Sequence, residues 1–95
     1  MSTPDFLVHD EEDTVGVVVV ETVTAGATLQ GLSMESGEPL YMDAQSDIPL
    51  GHKIALKDLP KGETVIKYGH DIGKIVAAVK AGDHVHVHNM KTKRW

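Results

Sequence analysis

The sequence predicts a small, mainly β domain with short helical turns, and three observations carry that prediction. Val17, Val18, Val19 and Val20 form an unbroken β-branched run. The hydrophobic residues, 41% of 95, are mostly Val, Ile, Leu and Ala, with one Trp, one Phe and two Tyr, and β-branched side chains fit a pleated surface better than a helix. No stretch of ten or more residues keeps a helical period, while Gly, Pro, Asn and Asp interrupt short apolar runs throughout. A chain of this length makes one domain, residues 1–95, burying roughly 60–65% of its unfolded surface. Residues 1–8 and 90–95 are expected to be flexible or partner-contacting tails.

Strands are expected in order at Val15 to Val20, Thr28 to Met34, Pro39 to Asp43, His52 to Leu56, Thr64 to Tyr68, Gly73 to Ala78 and His84 to Asn89. The first should lie centrally, because a continuous valine run suits a strand buried on both faces. Short helical turns are expected near Lys57 to Leu59 and Ile75 to Val79.

One spacing recurs: apolar, two residues, Gly, two residues, apolar. It occurs as Val23–Gly26–Leu29, Leu59–Gly62–Val65 and Val79–Gly82–Val85. Each glycine precedes a β-rich segment, where a chain reversing into a strand needs positive φ. The repeat implies one turn-plus-strand device used three times, with its loops gathered at one end.

Charge and composition exclude several functions. Nine basic against fourteen acidic residues leave a net charge of −5, and no basic patch supplies the counterion release that nucleic-acid binding requires. No segment reaches the ~18 apolar residues of a membrane span. The acidic start, with Asp5, Asp10, Glu11, Glu12 and Asp13, is unlike a signal peptide. A soluble, cytoplasmic protein is expected. With no cysteine, thiolate chemistry and Cys-ligated zinc are excluded, and a metal would have to sit on His, Asp or Glu.

Six histidines stand out. His84, His86 and His88 alternate with Val85 and Val87, so a strand would send the imidazoles to one face and the valines to the other. Imidazoles at i and i+2 stand roughly 6.5–7 Å apart at Cβ and can share one ion. The competing reading is a solvated histidine face. His9-Asp10-Glu11-Glu12-Asp13 could supply acid–base or ligand groups from a loop, or be an acidic surface turn. Gly51-His52-Lys53 opens an apolar strand, with Lys53 suited to hold a carboxylate and His52 to donate or act as base. Lys67-Tyr68-Gly69-His70-Asp71-Ile72-Gly73 has glycines that let backbone approach a ligand, and reads equally well as a plain β-turn.

In order, His9 with Asp13, then Gly51-His52-Lys53-Ile54-Ala55-Leu56, Gly62, Lys67-Tyr68-Gly69, Gly82 and His84-Val85-His86-Val87-His88-Asn89 resemble one family across nearly the whole chain. That family comprises the N-terminal domains of altronate and galactarate dehydratases and the alpha subunit of (2R)-sulfolactate sulfo-lyase. The free-standing length and the ending Lys-Thr-Lys-Arg-Trp look most like the sulfolactate enzyme. Thr14 stands where the family usually has Asn. The resemblance implies a SAF-like β-clip fold and a partner, a large catalytic lyase subunit, without which the chain is inactive.

The implied chemistry is loss of sulfite or water from carbon 3 of a small 2-hydroxy acid after the carbon-2 proton is removed. It implies a divalent metal, Fe²⁺, held by or shared with the large subunit, acting as Lewis acid on the substrate. On this footing His86 and His88 are expected at the metal, and His9, His52 and Lys53 in catalysis. Asp13, Tyr68, Gly69 and Asn89 are expected at the substrate. The rival class is a non-catalytic sugar-acid or anion-binding module, or a structural adaptor.

Overall fold

The computed structural model describes residues 4–10, 12–67, 69–86 and 88–92. Eleven strands follow one another: β1 (Phe6–Val8), β2 (Val15–Val18), β3 (Thr22–Val23), β4 (Thr28–Ser33), β5 (Pro39–Asp43), β6 (Ile48–Pro49), β7 (Lys53–Ala55), β8 (Thr64–Lys67), β9 (His70–Ile75), β10 (His84–Val85) and β11 (Met90–Thr92). The mainly β expectation holds. Helical turns do not form among the described residues: the segments around 57–59 and 76–79 are bends closed by a Leu59–Val79 bridge. Backbone that an isolated helical turn would satisfy poorly pairs across the chain there.

Six strands form one sheet in the order β10-β7-β2-β1-β4-β5, three form β11-β9-β8, and β3 pairs with β6. The valine strand is central, between β7 and β1. It ends at Val18, and Val19 is 37% exposed, so the run is not buried on both faces to its end. Within the segment expected as an N-terminal tail, β1 lies inside the sheet between β2 and β4 with Phe6 fully buried. Its three-residue alternation of buried and half-buried positions is too short to register as a strand pattern in sequence. Met90–Thr92 likewise pairs with β9.

Two apolar clusters result. Phe6, Val8, Val18, Leu29, Ile48 and Ile54 fill one, and Val15, Leu59, Val65, Ile75, Val85 and Met90 fill the other. Each fully buried side chain of this size contributes about 1.5–3 kcal/mol.

The repeated glycine device is real and regular. Gly26, Gly62 and Gly82 have φ of 89°, 92° and 92°. Each sits third in a turn closed by Ala27 N–H to Thr24 O, Glu63 N–H to Pro60 O, or Asp83 N–H to Lys80 O, the type II geometry that calls for glycine. Each glycine N–H then donates at 2.8 Å to a facing carbonyl, of Ala44, Ile75 and Ala55 respectively. The third copy launches β10. There the chain following β5 returns: Gln45 N–H donates to Gly82 O, and His84 N–H donates to Ser46 Oγ, both at 2.9 Å. The far end of the large sheet is thereby tied to the start of the histidine segment.

Candidate metal and substrate site

The histidine segment is not one long strand. β10 ends at Val85, and the chain turns back at His86, whose carbonyl accepts the N–H groups of Asn89 and Met90 at 3.1 and 2.9 Å. Val85 is fully buried in the second cluster, which turns His84 and His86 away from it; Val87 lies outside the described residues. His52 arrives from 32 residues away. Gly51, at φ 84°, turns the chain into β7, and His52 O accepts Val18 N–H at 2.9 Å. Since β7 pairs with both β2 and β10, His52 is delivered beside His84.

The rings pack together. His52 stacks on His86 with centroids 3.9 Å apart, and a hydrogen bond of 2.7 Å joins Nδ1 of His52 and Nε2 of His84. His84 and His86 are stacked at 5.7 Å, and His88 tilts against His84 at 4.9 Å. One ligand nitrogen from each of His52, His84 and His86 lies within 4.8 Å of the others. Nδ1 of His86 is buried and has no hydrogen-bond partner among the described residues. A buried imidazole nitrogen without a partner is costly unless something occupies its lone pair.

This donor set fits a divalent ion. Metal–nitrogen bonds of about 2.0–2.1 Å hold ligand nitrogens roughly 3–4 Å apart, within reach of small ring rotations here. Ligation requires neutral imidazoles, and the surroundings favour that form. Burial, then His52, His88, His86 and Lys53, push the His84 pKa down. Burial, then His52, Lys53 and His88, do the same at His86. Lys53 is itself lowered by burial and by Lys67. The Lys53 ammonium, close enough to both rings to lower their pKa values, adds a positive charge that attracts anions.

The grouping differs from the His86–His88 metal pair that the family resemblance implies. His84 takes the place of His88, because the turn at His86 carries His88 out to an exposed position. His9 is half-buried on the loop after β1 and does not belong to the imidazole group. Asp13 and Asn89, expected to touch substrate, are 8% and 6% exposed and occupied with backbone. Asp13 accepts Gly69 N–H at 2.8 Å and Asp10 N–H at 3.2 Å. Asn89 accepts His86 N–H at 2.9 Å and donates to His84 O at 2.7 Å. Gly69, at φ 74°, is exposed and lies against the Asp10 carboxylate; Tyr68 lies outside the described residues.

Sequence reasoning missed the parts of Thr14 and Ser46. Thr14 Oγ1 accepts Ile66 N–H at 2.9 Å, pinning β8 to the large sheet, and Ser46 caps β10. Neither carries a local signal. A cavity of about 470 Å³ lies against the paired strands β9 and β11, lined by Asp71, Gly73, Lys74, Lys91 and Thr92, with none of the imidazoles in its lining.

Residues 4–93 match the family model of the altronate/galactarate dehydratase SAF domain. The (2R)-sulfolactate sulfo-lyase subunit alpha of Chromohalobacter salexigens is 55% identical over 91 residues, 96% of this chain and 97% of that protein. The altronate dehydratase of Bacillus subtilis is 38% identical over 64 residues, 62% of this chain. The galactarate dehydratase (L-threo-forming) of Escherichia coli is 33% identical over 78 residues, 82% of this chain. In both dehydratases the match spans 13% of the relative.

Proposed function

Because the chain belongs to the altronate/galactarate dehydratase SAF domain family, we propose that it is the alpha subunit of a (2R)-sulfolactate sulfo-lyase, acting with a larger catalytic subunit. The observation that carries this reading is the end-to-end match to a protein named as such a subunit, against a match to 13% of each dehydratase. The chain is a lyase subunit and has a partner subunit.

The reaction removes the carbon-2 proton of sulfolactate and breaks the carbon 3–sulfur bond. The electron pair leaves with sulfite, and the resulting enol gains a proton at carbon 3 and releases its hydroxyl proton to give pyruvate. A divalent ion, Fe²⁺ in this reading, would be held by His52, His84 and His86 and would supply Lewis acidity to the carboxylate and 2-hydroxyl oxygens. Lys53, with Lys67 close enough to depress its pKa, draws the dianionic substrate toward the imidazoles and offers a point charge to carboxylate or sulfonate. Taking the carbon-2 proton calls for a base outside the ligand set. In this reading His9 or His88 serves, and His88 stands beside His84.

The test is co-expression with the large chain, followed by anaerobic assay with Fe²⁺ and (2R)-sulfolactate, altronate or galactarate. Equal release of pyruvate and sulfite from sulfolactate alone is the expected result. Dehydration of a sugar acid without sulfite release would move the chain to the dehydratases. An assembled complex that binds these acids and turns over none would overturn the lyase reading in favour of a binding module.

A further inference from the structure

The side chain of Asn89 does something that its exposure and chemistry alone would not suggest. On its paired side, β10 is satisfied by β7. On its other side the ladder has no neighbouring strand, since β10 ends the sheet. The outward groups there are His84 N–H, His84 C=O and His86 N–H. Ser46 Oγ accepts the first at 2.9 Å, and the carboxamide of Asn89 takes the other two.

Its Nδ2 donates to the carbonyl before Val85 and its Oδ1 accepts from the N–H after it. These are the two bonds that one residue of a parallel neighbouring strand would make. The carboxamide is buried, and its own backbone is held in turn, with N–H to His86 O at 3.1 Å and C=O accepting Val76 N–H at 2.9 Å. Both imidazoles that meet His52 therefore hang from backbone gripped by this one side chain.

We propose that Asn89 is a positioning residue, a one-residue substitute for a strand neighbour that holds the His84 and His86 rings in register against His52. The inference builds on the reading of these rings as the site, but its geometry and its first readout require no metal or substrate. Chemistry narrows the choice of side chain. Asp offers the acceptor but sets an oxygen against the His84 carbonyl, and Ala offers neither group. Only a carboxamide of this length supplies donor and acceptor side by side.

The experiment uses the 95-residue chain as wild type, Asn89→Asp and Asn89→Ala, with folding checked by circular dichroism. The first readout is the proton shared between the His52 and His84 rings, seen by long-range ¹H–¹⁵N correlation in the absence of metal. Loss or averaging of that signal in both folded variants is expected. A signal unchanged in either variant overturns the proposal. If Asn89→Ala does not fold, Asn89→Asp, which keeps the bond from His86 N–H, decides alone.

Co²⁺ titration is the second readout. Affinity is expected to fall about 10- to 100-fold, as when ligand-orienting groups are removed, with altered visible bands. A variant that raises KM for sulfolactate in the assembled enzyme while leaving both the ring signal and Co²⁺ spectrum intact would make Asn89 a substrate contact instead. Should the wild-type complex show no lyase activity, the ring signal still answers for Asn89, so the two readings fail separately.

Discussion

His52 Nδ1 and His84 Nε2 lie 2.7 Å apart although 32 residues separate them in the chain. One ring must donate and the other accept, so at least one is neutral. Doubly protonated rings would present two donors to each other.

Acid should therefore loosen the fold before it affects most of its carboxylates. The pKa values of His84 and His86 are both lowered from the ordinary 6.5, burial being the largest cause. The unfolded chain then binds protons that the folded chain resists. Stability from these groups is fully present above 6.5 and is lost as pH falls below it, toward the depressed folded values. Thermal melts at pH 7.5 and 5.5 should show a drop at the lower pH. The drop should shrink in His84→Gln and His86→Gln, and an equal drop in those variants would place the sensitivity elsewhere.

Removing His86 should matter far more than removing His88. His86 carries the buried nitrogen without a partner, while His88 is exposed and outside the three-ring group. His86→Ala should abolish Co²⁺ binding to the free chain, and His88→Ala should leave it little changed, because His88 is not among the grouped rings. In the assembled enzyme, His88→Ala should lower kcat without loss of bound iron. Metal loss in both variants would restore the His86–His88 pairing that the resemblance implies.

The contrast shows what could be read in the sequence. Strand content, the central valine strand and the thrice-used glycine turn were legible because each depends on residues close together in the chain. Alternation put His84, His86 and His88 on one face, and His84 and His86 do pack together against His52, since phase along a strand is local. The reversal at His86, where the Asn89 carboxamide bonds backbone on both sides of Val85, is encoded by no periodicity. His52 was marked by its Gly-His-Lys setting, but its contact with His84 follows from the β7–β10 pairing. β1, β3 and β6 are two or three residues long, too short for a pattern, and exist because the larger sheet and loops complete them.

Two glycines of the repeat should respond very differently to alanine. Gly26 and Gly82 have nearly the same φ, but a Cβ on Gly26 meets open space, whereas one on Gly82 would overlap the Asp43 carbonyl oxygen. Gly26→Ala should cost only the left-handed backbone strain, about 1–2 kcal/mol. Gly82→Ala adds a backbone clash at the point where the chain after β5 meets β10, for a total of about 2–5 kcal/mol. Urea midpoints would order the two. Equal losses would mean that the Asp43 segment yields freely, and His84 should then keep its bond to Ser46 in both variants.

Asp13 gives the sharpest separation between a residue that builds the site and one that meets substrate. Its Oδ1 accepts Gly69 N–H and its Oδ2 accepts Asp10 N–H, while the adjacent Thr14 exchanges two bonds of 2.9 Å with Ile66. Together these tie the β8–β9 hairpin to the loop that carries His9. Asp13→Ala removes a buried acceptor from two backbone donors and should cost about 1–3 kcal/mol. Asp13→Asn, which retains one acceptor oxygen, should cost less. Hydrogen exchange at Gly69 should accelerate in the alanine variant, with Co²⁺ binding unchanged because Asp13 is not among the grouped imidazoles. If Asp13→Ala instead leaves stability and Gly69 exchange untouched and raises KM for sulfolactate, the carboxylate faces the ligand and the hairpin is held by Thr14 alone.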